Sequence, residues 1–145
     1  MDWKLELVVV PVADVDRAKA FYSEKLGFNV DVDYRPNDDF RVVQLTPPGS
    51  ACSISIGKGI SGGMAPGAIK GLHLVVPDID AARSELLARG VSVSDPFHFE
   101  SGKQVPGPDP ERRNYGSFMF LEDPDGNGWM VQEVNRGAPR TLTIP

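Results

Sequence analysis

A single cysteine, Cys52, in 145 residues excludes an internal disulfide, and its place in an apolar stretch suits a small buried hydrophobe. A reducing, cytoplasmic setting is the expectation that follows. No apolar run approaches the roughly 18 residues that a membrane-spanning helix needs. The opening MDWKLELVVVPVAD has only a short apolar run, preceded by acidic residues and followed by no small-residue cleavage pattern, so it reads as a strand and not as a signal peptide. Positive charge is in short supply too. Fifteen Lys and Arg against 20 Asp and Glu give a net charge of -5 and a pI near 4.9, which leaves no basic footprint for nucleic acid. Also missing are a phosphate-binding loop, a nucleophile triad and a Cys/His zinc spacing. What remains is an ordinary globular composition, 41% hydrophobic and 24% charged, in a chain long enough for one domain or for two small halves.

Two halves are what the chain contains, because it is written twice. Residues 7–30, LVVVPVADVDRAKAFYSEKLGFNV, and residues 71–93, GLHLVVPDIDAARSELLARGVSV, share one plan. Each has an apolar strand and then Val-x-Asp-x-Asp (Val12, Asp14, Asp16; Val76, Asp78, Asp80). A helical pattern follows and ends on a glycine, Gly27 or Gly90. An aspartate at such a start accepts orphan helix N–H groups and complements the helix dipole, and the glycine fits the left-handed C-cap. Helical periodicity puts Ala18, Phe21, Tyr22 and Leu26 on one face of the first helix, and Ala82, Leu86 and Leu87 on one face of the second.

The later parts match as well. FRVVQLTPPGSACSISI (40–56) runs parallel to SFMFLEDPDGNGWMVQE (117–133), each a strand, a four-residue turn closing on glycine, and a strand. Each unit therefore reads as strand, helix and a meander of up to three strands. The expected division is a first βαβββ module over 1–58, a Gly-rich linker over 59–69, a second module over 70–135 and a surface-draped tail over 136–145.

The paired Val-x-Asp-x-Asp helix starts, the FYSEKLGF segment and the DPDGNGW turn together resemble the vicinal oxygen chelate superfamily, the glyoxalase / bleomycin-resistance / extradiol dioxygenase group, over roughly residues 5–134. The resemblance implies an α+β fold, the glyoxalase-like fold, in which two βαβββ modules form a cup-shaped mixed sheet with helices outside. It implies a small-molecule ligand in that cup, and homodimers, which are common among members. Metal-dependent members take ligands from four strands. In this sequence the first-strand slots, seven residues before the helix-opening aspartates, are Leu7 and Gly71. The last-strand slots, counted from the turn glycines, are Ser53 (Ile54 if the register slips) and Met130. Aliphatic, hydroxyl and thioether side chains are poor company for a divalent cation in this setting. The expectation is therefore no metal cofactor, with a displaced site using His73, His98 and a carboxylate as the disfavoured alternative.

Alternation along the strands adds the remaining candidates. His73 lies two residues beyond Gly71, and Gln132 two beyond Met130, so both face the cup; Glu133 falls on the opposite face with Trp129 and Val131. His73 reads either as a hydrogen-bonded histidine lining a cavity or as a general acid–base. Gln132 reads either as a satisfied polar residue or as an amide that orients a ligand. Residues 97–116, FHFESGKQVPGPDPERRNYG, are proline-rich and read as a long loop. That loop is either a solvated surface with Arg–Glu pairs or a lid in which His98 and Arg113 contact the ligand and Tyr115 stacks on it. Leu5, Leu7, Val9, Met130 and Phe118 or Phe120 would form apolar walls.

Three readings of function follow: a binding or sequestering protein like the bleomycin-resistance branch; a lyase, isomerase or dioxygenase using a displaced metal or His73; and an assembly scaffold.

Overall fold

A computed structural model describes residues 1–135, so the tail assigned to 136–145 lies outside the described residues. The elements run β1 (Leu7–Val9), α1 (Val15–Ala20), β2 (Asn29–Asn37), β3 (Phe40–Thr46), β4 (Ser53–Lys58), β5 (Leu72–Val76), α2 (Ile79–Ala88), β6 (Phe97–Glu100), β7 (Lys103–Pro106), β8 (Phe118–Glu122) and β9 (Gly128–Glu133). Two mixed sheets with two short helices make up the glyoxalase-like fold. The chain divides into two compact units. One is Met1–Lys70 with Asp123–Asn127; the other is Gly71–Glu122 with the chain from Gly128 onward.

In the first unit the sheet order is β1-β4-β3-β2, with β1 parallel to β4 and the other pairs antiparallel. Asp14 accepts the Arg17 N–H at 3.0 Å and starts α1. The helix then widens into one π-turn, Phe21–Lys25, closed by a Leu26 N–H to Phe21 carbonyl bond of 3.1 Å. Ala18, Phe21, Tyr22 and Leu26 are all buried, as are Val43, Leu45, Ile54 and Ile56 of the sheet, and α1 packs on β4. Gly27, at φ 75°, ends the helical run in the left-handed region that a side chain would strain.

The Asp123–Asn127 turn belongs to this unit although its flanking strands belong to the other. Tyr22 Oη donates to Asp123 Oδ2 at 2.7 Å, and Asn127 Nδ2 donates to the Pro11 carbonyl at 2.8 Å. Asn127 Oδ1 accepts the Ile69 N–H at 3.1 Å, and Asp125 accepts from Ala13 N–H and from Arg17. The 59–69 segment, read as a flexible connector, is tied down at Ile69 and by a Gly67 N–H to Pro11 carbonyl bond of 3.2 Å.

In the second unit the order is β5-β9-β8-β6-β7. The meander has one strand more than the sequence suggested, because 97–106 is not a loop. Phe97–Glu100 and Lys103–Pro106 pair as a hairpin closed by Ser101 and Gly102, both at positive φ (51° and 76°), the geometry of a two-residue hairpin turn. Proline did not prevent it, because β7 is an edge strand with one side free of ladder bonds. Asp78 caps α2 through the Asp80 and Ala81 N–H groups at 3.0 and 3.1 Å. The buried face of α2 centres on Ile79 with Leu86 half-buried, and Leu87 is 46% exposed, contrary to the face expected for it. Seven residues bring Leu86 back under Ile79, whereas the eighth rotates Leu87 away by about 80°.

Candidate functional site

Strand alternation assigns two faces to the second unit's sheet. Leu72, Leu74, Trp129, Val131, Met119 and Leu121 point to the α2 side. The helix-free face carries a different set. Cross-strand pairing places His73 beside Met130 and Met130 beside Phe120, and it places Gln132 beside Phe118 and Phe118 beside Phe97. Phe97 in turn pairs with Pro106, and Phe99 with Gln104. The rings pack closely. Phe97 and Phe118 stack with centroids 5.7 Å apart and planes 16° apart, and Phe99 meets both edge-on at 5.9 and 5.3 Å.

A pocket of about 690 Å³ opens on this face, within the size range of small-molecule sites. Phe97, Pro96, Pro106, Phe120 and Met130 supply its apolar wall, and Ser94, Asp95 and Gln104 its polar groups. Asp95 is paired with Arg83 at 2.8 Å, and the Ser94 hydroxyl accepts the Phe120 N–H at 2.8 Å. Beside Met130, His73 Nδ1 lies 2.8 Å from Gln132 Oε1. An amide oxygen only accepts, so Nδ1 carries the hydrogen, and in the neutral ring Nε2 is left as an acceptor.

The structure therefore brings Phe118, Met130, Gln132 and His73 onto one face. It places the other candidates elsewhere. Leu7 and Ser53 are cross-strand partners in the first unit, where Ser53 contacts Thr46 at 2.6 Å and accepts from Gln44 at 3.4 Å. Alternation turns His98 away from Phe97 and Phe99. It is 3% exposed and spans two acceptors, the Gly107 carbonyl at 2.7 Å from Nδ1 and Glu100 Oε1 at 2.9 Å from Nε2. Those contacts, the Gly107 carbonyl foremost, hold its pKa above the ordinary 6.5.

Arg113 grips the fully buried Asp109 through two nitrogens, at 2.7 and 3.0 Å, and holds its carboxyl down at about 2. Tyr115, at φ 66°, donates its N–H to the Glu133 carbonyl at 2.9 Å. Glu133 does face away from Met130 and Gln132. There it accepts the Ile79 N–H at 2.9 Å and binds Arg112 through two oxygens, and the arginine keeps its pKa low.

The register also corrects the ligand-slot count. Leu7 sits opposite Ser53 in the first unit, and the matching pair in the second is His73 opposite Met130, not Gly71. The strand-to-helix connection is two residues shorter in the second half, so counting back from Asp78 overshoots; aligning Pro77 with Pro11 gives His73 directly. One imidazole beside a thioether, or an aliphatic beside a hydroxyl, does not fit a divalent metal centre. Among the described residues no group of three or more His, Cys, Asp or Glu is placed to hold a metal ion. Phe97, Gln104 and Pro106 line the pocket, which the reading of 97–116 as one loop does not anticipate. The Phe-x-Phe alternation followed by Ser-Gly was the signal for a hairpin.

Two mixed sheets, each backed by one helix, are the glyoxalase-like fold, and the second carries an aromatic pocket on its helix-free face. The chain belongs to the Glyoxalase/Bleomycin resistance protein/Dioxygenase superfamily, whose model matches residues 4–131. Among solved structures it is similar to TnmS3, an antibiotic binding protein from Streptomyces sp. CB03234. The two share 31% identity over 92% of this chain and 97% of that one, with a TM-score of 0.70. A glyoxalase/bleomycin resistance protein from the same organism is 32% identical over 90% and 100% of the two chains, with a TM-score of 0.68. A superfamily member from Sphaerobacter thermophilus DSM 20745 is 27% identical over 91% and 98%, with a TM-score of 0.70. The search of curated proteins returned no match.

Proposed function

We propose that this protein binds a small organic molecule on the helix-free face of its second unit, without the metal centre used by the superfamily's metal-dependent enzymes. The observation that carries this reading is the pocket of about 690 Å³ walled by Phe97, Phe120, Met130 and two prolines. The chain's similarity to an antibiotic binding protein supports a small-molecule ligand, and the pocket's apolar wall favours a largely apolar one. Cytoplasmic residence and a homodimer belong to the same proposal, and light scattering across a concentration series tests the dimer.

The test of binding is a thermal-shift screen of apolar antibiotics, repeated on Phe120→Ala. Phe120 is 37% exposed and lines the pocket, so removing its ring should weaken any hit about tenfold. A hit whose affinity ignores Phe120→Ala binds elsewhere and sinks the assignment.

A second reading is favoured by one contact, the 2.8 Å bond that leaves Nε2 of neutral His73 as an acceptor. In that reading His73 acts as a general base in lyase or isomerase chemistry. Turnover of a bound compound that survives in His73→Ala would remove it.

A further inference from the structure

We infer that the pocket takes an uncharged, flat, elongated aromatic molecule with hydrogen-bonding groups at both ends, and that Gln104 reads one end while the His73–Gln132 pair reads the other. The inference rests on the binding reading above and adds the chemical class of the ligand.

The strand order sets the length. From β9, which carries Gln132 and Met130, to β7, which carries Gln104, the chain crosses β8 and β6. Three strand spacings amount to about 14 Å, and His73, on β5, lies one spacing beyond Gln132. The middle of that span is apolar: Phe118, Phe97 and Phe99 pack as one cluster, with Phe120 two residues along β8 on the same face. Gln104 stands at one margin and the His73–Gln132 pair at the other, while Ser94 and Asp95, beside Phe120, are already bonded within the protein.

Ring geometry sets the shape. Phe97 and Phe118 are cross-strand partners that stack on one another, so their stack runs across the sheet and its upper boundary consists of ring edges. Ring edges carry the positive part of the aromatic quadrupole and favour the π-face of a partner ring. A flat ligand lying over the cluster therefore meets it edge-to-face.

Charge sets the rest. No lysine or arginine lines the pocket, and its one carboxylate, Asp95, is already paired with Arg83. The two arginines that could have held an anion, Arg112 and Arg113, are bound to Glu133 and Asp109. Within the lining Gln104 offers an amide; outside it, beside the lining residue Met130, the neutral form of His73 offers Nε2 as an acceptor for a ligand O–H or N–H.

A stilbene series tests this by fluorescence titration of the intact chain: trans-4,4′-dihydroxystilbene, 4-hydroxystilbene, unsubstituted trans-stilbene and stilbene-4,4′-dicarboxylate. The dihydroxy compound should bind tightest, each hydroxyl contributing about fivefold, with the dicarboxylate weaker by tenfold or more. Gln104→Ala should bring the dihydroxy compound down to the level of the monohydroxy one and leave the latter unchanged, since it binds by its other end. His73→Ala should lower both. If all the neutral stilbenes bind equally and only Phe120→Ala weakens them, the pocket stands and the end-reading is wrong. Equal or tighter binding of the dicarboxylate overturns the charge selection. Binding of none, or binding indifferent to Phe120→Ala, overturns the pocket assignment and this inference with it.

Discussion

His98 shows how far a residue's role depends on which way its strand faces. Both ring nitrogens meet acceptors, the Gly107 carbonyl and Glu100, and a neutral imidazole can donate to only one of them. The cation satisfies both, so the folded pKa lies above 6.5 although the ring is buried. A raised histidine pKa contributes stability that is fully present below 6.5 and is lost as pH rises through the higher folded value. An NMR titration of the ring should give a midpoint above 6.5. Glu100→Gln should lower that midpoint without returning it fully, because the Gly107 carbonyl is the larger cause. A midpoint at or below the ordinary histidine value would refute the contact geometry. His73, by contrast, is exposed on the helix-free face and bonded to Gln132, so the two histidines of this chain divide into a buried tie and an exposed group beside the proposed site.

At the scale of elements, the segment after β7 is a folded latch built around one carboxylate. Asp109 is fully buried, donates its own N–H to Ser117 Oγ at 2.8 Å, and accepts from the Glu111 and Arg113 N–H groups as well as the Arg113 guanidinium. The guanidinium above all holds it at about 2 instead of 3.8. A depressed carboxyl contributes stability that is present above 3.8 and is lost as pH falls toward about 2. Urea unfolding of the wild type should therefore weaken between those values. Asp109→Asn should cost about 3 kcal/mol at neutral pH, because the buried arginine pair is broken, and should flatten the acid limb. An unchanged acid limb in the variant would assign that limb to other carboxylates.

The sequence offered Arg–Glu pairs within this segment as one alternative; Arg113 binds Asp109, and Arg112 binds Glu133 outside it. Proline content suggested one long loop, whereas an edge position let Pro106 end a strand and Ser101-Gly102 close a hairpin. The helices were legible from their caps, and Leu87 was misplaced only because one helical step separates it from the buried Leu86.

For the whole molecule, the repeat and the DPDGN turn made the fold readable, since both are local patterns with local causes. Asn127 is fully buried, and its one side-chain amide donates to Pro11 and Asp123 and accepts from Ile69. The site was legible in part. Met130 and Gln132 follow from alternation within one strand, but Gln104 and Phe97 needed the β6–β7 pairing, a contact between strands that single-strand periodicity does not encode. His73 emerged as Met130's partner only from the register of β5 on β9.

That register also governs the metal question. The paired positions are Leu7 with Ser53 in one unit and His73 with Met130 in the other, and the described residues hold no cluster of metal-ligating side chains. Metal binding contributes folding free energy wherever a site exists, so chelation unfolds or loosens proteins that depend on it. Prolonged dialysis of this protein against EDTA should leave its unfolding temperature and its affinity for a pocket ligand unchanged. Elemental analysis of protein purified without added metal should give well under one equivalent of divalent metal per chain. A fall of several degrees in unfolding temperature, restored by one particular cation, would show that ligands outside these strand pairs assemble a metal site and would put the enzyme reading ahead of the binding one.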